Sequence, residues 1–240
     1  MSLCLMMIWS LMIKKYRIFL YSLTALMMIF SKGITTNVPA GGLSSEKDGK
    51  SAEKFIQDLG DKGIKTLTGK ELGEAERRRR FEALFVVAFD YDRIGKFVLG
   101  RFRRQISETD MKEYMDLFKN MVVRVYAARF GEYNQEKFHV SSNRVIDKEG
   151  KTIVVSSKIV RPNDSKIAIA WHMYKDTAGS FKIFDVVVEG VSMALTQRSE
   201  FSAILQQGGI KKLIEELKIK KNNPIAKKMI EVTNTAINKK

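Results

Sequence analysis

Apolar positions along the chain repeat first with the period of a helix and later with that of a strand. After Ser51, which suits an N-cap, Phe55, Ile56 and Leu59 recur at the spacing of a buried helical face. A longer helix is expected over 71–89, charged in its first half, with Phe81, Leu84, Phe85 and Ala88 gathered in its second. Residues 91–102 follow, and then the clearest amphipathic segment. It begins after Ser107, with Glu108 and Asp110 in a first turn that complements the helix dipole. Met111, Tyr114, Met115, Phe118, Met121, Val122, Val125 and Tyr126 form its apolar stripe, which should run to about Arg129 and stop at Gly131.

From Lys137 the period falls to two. Strands are expected over 138–146, 151–161, 166–175 and 180–188, parted by the turn signals Asp147-Lys148-Glu149-Gly150, Pro162-Asn163-Asp164 and Thr177-Ala178-Gly179. Connections this short make hairpins, so the sheet is antiparallel. Helical pattern returns over 198–205 and 208–217, and Pro224 closes that stretch. The fold class is therefore α+β: a twisted antiparallel sheet of about four strands, with helices N-terminal and C-terminal to it. No internal repeat is present.

Strand alternation separates the two sheet faces. Phe184, Val186 and Val188 alternate with Asp185 and Glu189; Ile167, Ile169, Trp171 and Met173 share one face, and Ala168, Ala170 and His172 the other. Ile153, Val155 and Ile159 likewise lie together. One broad apolar face results. Periodicity alone does not distinguish a filled core from one that holds a ligand.

The N-terminus changes the picture. Residues 1–40 hold Lys14, Lys15, Arg17 and Lys32 and no carboxylate, and the 13-residue apolar run from Ile18 to Phe30 follows the basic cluster. That is the layout of a secretory signal and short for a membrane-spanning helix, although an uncleaved anchor is the alternative. Val38-Pro39-Ala40 offers the peptidase a small-x-small site, and Met12 would make a conventional start. The expected organisation is a signal peptide (1–40), a flexible leader (41–50), an α+β domain (51–220) and a polar Lys-rich tail (221–240). Cys4, the only cysteine, precedes the apolar run, so the exported domain has no disulfide, thiolate or Cys-based metal site.

Removing the signal leaves 38 Lys and Arg against 27 Asp and Glu, a balance of +11. Such charge favours anionic partners or a solvated basic surface; export argues against nucleic acid. The Arg77–Arg80 run spreads around a helix and makes no stripe. Catalytic chemistry is not nominated: His139 and His172 both sit in strands, and no HExxH, P-loop or dinucleotide-binding pattern occurs. No cofactor is expected.

Two stretches carry a resemblance. One runs from Phe89 to Phe102 (FDYDRIGKFVLGRF). The other runs from Phe184 to Met193 (FDVVVEGVSM), continuing through Gln197-Arg198-Ser199-Glu200-Phe201 and Gln207-Gly208-Gly209-Ile210-Lys211-Lys212-Leu213. Both resemble the MlaC, or toluene-tolerance, family of periplasmic phospholipid-binding proteins, over roughly residues 50–220. The resemblance implies an apolar pocket for acyl chains between sheet and helices, with phospholipid as cargo. It also implies an inner-membrane ABC transporter complex and an outer-membrane lipoprotein as partners, in maintaining outer-membrane lipid asymmetry. Carried onto this chain, the lipid-binding candidates are Ile153, Val155, Ile167, Ile169, Trp171, Phe184, Val186 and Val188, with Val191, Met193, Phe201 and Leu205 adding to the wall. Asp90, Asp92, Arg93 and Arg101 are expected to form structural ion pairs, and Gly190 and Gly208-Gly209 to serve backbone geometry. A carrier of another lipid, such as a hopanoid, or an enzyme on a cone-shaped α+β scaffold, are the alternatives.

Overall fold

Hairpin connections build the sheet as a meander. In the computed structural model, which describes residues 42–133, 135–146 and 151–222, the strands are β1 (Lys137–Val145), β2 (Thr152–Val160), β3 (Lys166–Lys175), β4 (Phe181–Val188) and β5 (Val191–Ser192). They pair antiparallel in the order β1-β2-β3-β4-β5. The four long strands and the α+β class agree with the sequence reading; the fifth strand is a two-residue addition. Helices α1 (Gly42–Leu67), α2 (Glu74–Ala88), α3 (Tyr91–Val98) and α4 (Glu108–Gly131) precede the sheet, and α5 (Met193–Asn222) follows it. A 3-10 segment (Gly100–Gln105) links α3 to α4. The expected signal peptide and most of the tail lie outside the described residues.

Helix α1 departs from expectation. It starts at Gly42, so residues 42–50 are its first turns rather than a flexible leader. Ser51 lies inside it, its hydroxyl donating to the Lys47 carbonyl (2.9 Å) instead of capping. The buried face of α1 runs Gly49, Ala52, Ile56, Gly63, Leu67, three of the five too small to register as hydrophobic periodicity. Gly49 and Gly60 admit the sheet. A Cβ on Gly49 would sit 2.1 Å from Asn143 Oδ1, and one on Gly60 would sit 2.5 Å from the Phe138 ring. Helix and sheet therefore touch backbone to side chain along β1.

Helix α4 fits its pattern closely. Ser107 Oγ accepts from the Asp110 amide (3.2 Å), and the helix ends at Gly131. Tyr114, Leu117 and Phe118 are buried, whereas Tyr126 is 40% exposed and falls off the stripe. Helix α5 bends at Gly208–Gly209, where Gly209 takes φ +62° and Gly208 leaves the helical region. The bend folds the second half back so that Leu213, Ile214 and Leu217 join Phe201 and Leu205 of the first half in one core with Val98, Leu99, Tyr114 and Phe118. A second core lies between the sheet and the N-terminal helices: Ala52, Ile56, Ala88, Ile153, Val155, Met173 and Ile183.

The arginine run in α2 is bonded within the fold. Arg77 donates to the carbonyls of Leu67, at the end of α1, and Leu72, in the connection to α2 (2.9 and 2.8 Å), and Arg79 and Arg80 both pair with Glu76 (2.7 Å). Hydrogen bonds from those two guanidiniums hold the Glu76 carboxyl down to about 2.

Candidate functional site

Strand register assembles the apolar face row by row. Directly paired residues point to the same side of a sheet. The rows are Phe138–Ile159–Ile167, then Val140–Ser157–Ile169–Val188, then Asn143–Val155–Trp171–Val186, then Val145–Ile153–Met173–Ile183. Coverage changes along these rows. Under α1, Ile153, Val155 and Met173 are at most 2% exposed. Toward the other end Ile159, Ile167, Trp171, Val186 and Val188 are only partly buried. The polar groups on the face are paired, Trp171 Nε1 donating to Ser157 Oγ at 2.8 Å and Asn143 Nδ2 to Glu53 Oε1 of α1 at 2.7 Å.

Ile153, Val155, Ile167, Ile169, Trp171, Val186 and Val188 thus share one face, as alternation predicts. Phe184 does not. The register shifts between His172 and Met173, so that Asp185 opposes His172 and Ile183 opposes Met173. Phe184 is the extra residue of a bulge and turns to the far side, where its ring meets His172 and Tyr174 (both 6.1 Å). Strict period two misassigned it because a bulge leaves no hydrophobicity signature. The same shift places Ile183 and Phe181 on the apolar face, with Phe181 against Phe55 of α1 (5.5 Å). Phe201 and Leu205 belong to the helical core, not to the sheet rows. Val191 pairs with Val188 and stands 50% exposed, and Met193 is partly buried at the start of α5.

On the far face the first motif is structural. The Asp90 carboxylate accepts from the Arg93 amide (3.1 Å), capping α3, and from the Tyr174 hydroxyl, tying the helix to β3. The Arg93 guanidinium lies over the Phe184 ring (4.2 Å) and the Tyr174 ring (5.0 Å). Asp92 pairs with Lys96 (2.6 Å), and Arg101 lies over Phe102. Of the expected ion pairs, Asp92 makes one; Asp90, Arg93 and Arg101 use caps and ring faces.

The second motif fastens β4 to α5. Glu189 and Gly190 both have positive φ (50° and 81°), the requirement of a tight hairpin turn into β5. Asp185 accepts from the Ser192 hydroxyl (2.6 Å) and the Ala194 amide (3.0 Å), while Ser192 Oγ accepts from the Leu195 amide (3.1 Å). Asp185→Ala leaves these donors without their acceptor and is expected to cost about 1–3 kcal/mol. Urea unfolding should show a lowered midpoint, partly restored in Asp185→Asn; an unchanged midpoint in both would mean the cap is redundant.

His172, beside Asp185, has its pKa lowered by burial; Asp185 works against that shift and Arg144 adds to it. The folded protein therefore binds fewer protons here than the unfolded chain, whose imidazole titrates near about 6.5. Stability from this group is present above that pH and is lost as pH falls through the folded value. Melting temperature should decline from neutral pH toward about pH 5, ahead of carboxylate protonation. The decline should flatten in His172→Asn, and an equal slope in the variant would assign it elsewhere.

Among the described residues no cluster of His, Cys, Asp and Glu is placed to hold a metal ion, and no helix is long and apolar enough to cross a membrane. Comparison with known proteins adds four findings. The chain is 23% identical over 133 residues to the intermembrane phospholipid transport system binding protein MlaC of Haemophilus influenzae, covering 55% of this chain and 62% of that one. It is 23% identical over 121 residues to the toluene tolerance protein ttg2D of Pseudomonas putida, covering 50% of this chain and 55% of that one. The chain thus spans less than two thirds of the length of these relatives. Its fold matches that of the phospholipid-binding protein from Ralstonia solanacearum, solved in complex with a phospholipid, with a TM-score of 0.64 at 19% identity over 71% of this chain and 97% of that one. The MlaC protein family model matches residues 57–219, which takes in both motifs and the whole sheet, and the chain belongs to that family.

Proposed function

We propose that this chain is a periplasmic phospholipid carrier, which takes acyl chains onto the apolar sheet face and passes lipid between an inner-membrane ABC transporter complex and an outer-membrane lipoprotein partner. The observation that carries the reading is the uneven cover of that face. Ile159, Ile167, Trp171, Val186 and Val188 form a continuous apolar surface that the protein's own helices only partly bury. The lipid-bound fold relative and the names of the two sequence relatives support it. The signal-like N-terminal segment supports export.

Physical need supports it as well. At about 0.8 kcal/mol per buried CH₂, two chains of ~15 methylenes represent on the order of 20 kcal/mol of transfer free energy. A free lipid would essentially never cross an aqueous gap, whereas a protein that covers the tails can. The step is binding and release, with no covalent chemistry.

Native mass spectrometry of the purified protein, followed by lipid extraction, tests the proposal. Glycerophospholipid at near one per chain, and transfer of labelled phospholipid between vesicles, is the expected result. A hopanoid in the extract would replace the cargo; an empty protein that transfers nothing would overturn the carrier.

A further inference from the structure

Between Asp92 and Glu108 the chain has five cations and no carboxylate: Arg93, Lys96, Arg101, Arg103 and Arg104. Arg93 stacks on sheet aromatics and Lys96 pairs with Asp92. The three arginines of the 3-10 segment are different. Phe102 and Ile106 pack against the helical core, and Arg101, Arg103 and Arg104 point outward, all exposed. Among the described residues none of the three pairs with a carboxylate, in contrast to Arg78, Arg79 and Arg80, which do.

An apolar strip on α5 approaches this segment through Arg198. Arg198 lies over the Phe97 ring (5.0 Å) and against Gly100, where a Cβ would come within 3.1 Å of its Nε. One turn back along α5 stands Leu195, 57% exposed, and before it Val191, 50% exposed and paired with Val188 at the partly open end of the sheet face. Exposed leucine and valine beside arginines without a carboxylate partner is the composition that suits the boundary between headgroups and acyl chains.

We infer that the 3-10 segment Gly100–Gln105, together with Leu195 and Arg198, is a docking surface for a bilayer bearing anionic headgroups, placed next to the open end of the apolar face. Docking there brings the partly covered end of the sheet face to the membrane. The inference goes beyond the carrier reading and is measured separately from it.

Flotation of the purified protein with vesicles of phosphatidylcholine, with and without phosphatidylglycerol, tests it. Binding is expected to the anionic vesicles only and to weaken as salt is raised. The triple variant Arg101→Gln, Arg103→Gln, Arg104→Gln should bind on the order of 100-fold more weakly, about fivefold per charge. Leu195→Ser should reduce binding while leaving its salt dependence in place. Circular dichroism and co-purified lipid should be unchanged in all of them. A wild-type protein that floats with neither vesicle overturns the inference and leaves the arginines to an acidic protein surface; a triple variant that floats like wild type overturns it as well. Protein that binds anionic vesicles but carries no cargo would sink the carrier reading and keep this one.

Discussion

Replacing Val188 with aspartate is expected to empty the protein of lipid without unfolding it. Val188 pairs with Ile169 across the sheet and with Val191 at the turn, and it is only partly buried. An aspartate there reaches water in the free protein, so the fold tolerates it. Acyl chains laid over the same position would desolvate the carboxylate without a partner, at a cost of several kcal/mol, or more than about a hundredfold in affinity. Native mass spectrometry should find the variant empty. Val187→Asp makes the same chemical change one residue away, on the face that carries Asp185 and pairs with Ala170. It should keep its lipid. Equal loss in both variants would mean that charge on β4, and not burial under acyl chains, decides retention.

That contrast depends on strand parity, which the sequence carries well except where the backbone breaks its own period. Every long strand lies within a residue or two of its alternating run, because hairpin turns of Gly, Pro, Asn and Asp bound each one. Phe184 shows the limit. Its alternation with Val186 and Val188 is flawless on paper, yet a single inserted residue reverses its side, and nothing in the apolar pattern marks a bulge. The residue that takes its place opposite Met173 is Ile183. Helix α1 shows a second limit. Its contact with β1 is made at Gly49 and Gly60, which carry no apolar signal although they pack against Asn143 and Phe138.

The motif aspartates show what resemblance adds to pattern. Asp90 and Asp185 were legible as fixed features of the two motifs, but their work is to cap α3 and to hold the start of α5. Both lie on the far face from the apolar rows, and each couples a helix to the sheet. The motif aspartates thus set the frame, and the candidate lipid face is built mostly of apolar residues outside the motifs.

Phe201→Ala is expected to lower the melting temperature by on the order of 10 °C while the protein that remains folded keeps its lipid. Phe201 is 1% exposed and meets Tyr114 and Phe118 edge-on, at 6.2 and 6.3 Å. Truncating such a ring costs about 3–5 kcal/mol, and a domain of this size loses roughly 2–4 °C per kcal/mol. The helical core that closes on Phe201 shares no buried residue with the core under the sheet. Differential scanning calorimetry and lipid extraction on the same sample separate the two effects. Trp171→Ala is the counterpart: Trp171 is partly buried on the candidate lipid face, so its truncation should reduce bound lipid more than stability. If Phe201→Ala instead released lipid at temperatures where the fold is intact, the helical core would have to extend into the acyl-chain site, and the division between the scaffold around α4 and α5 and the binding face of β2 to β4 would fail.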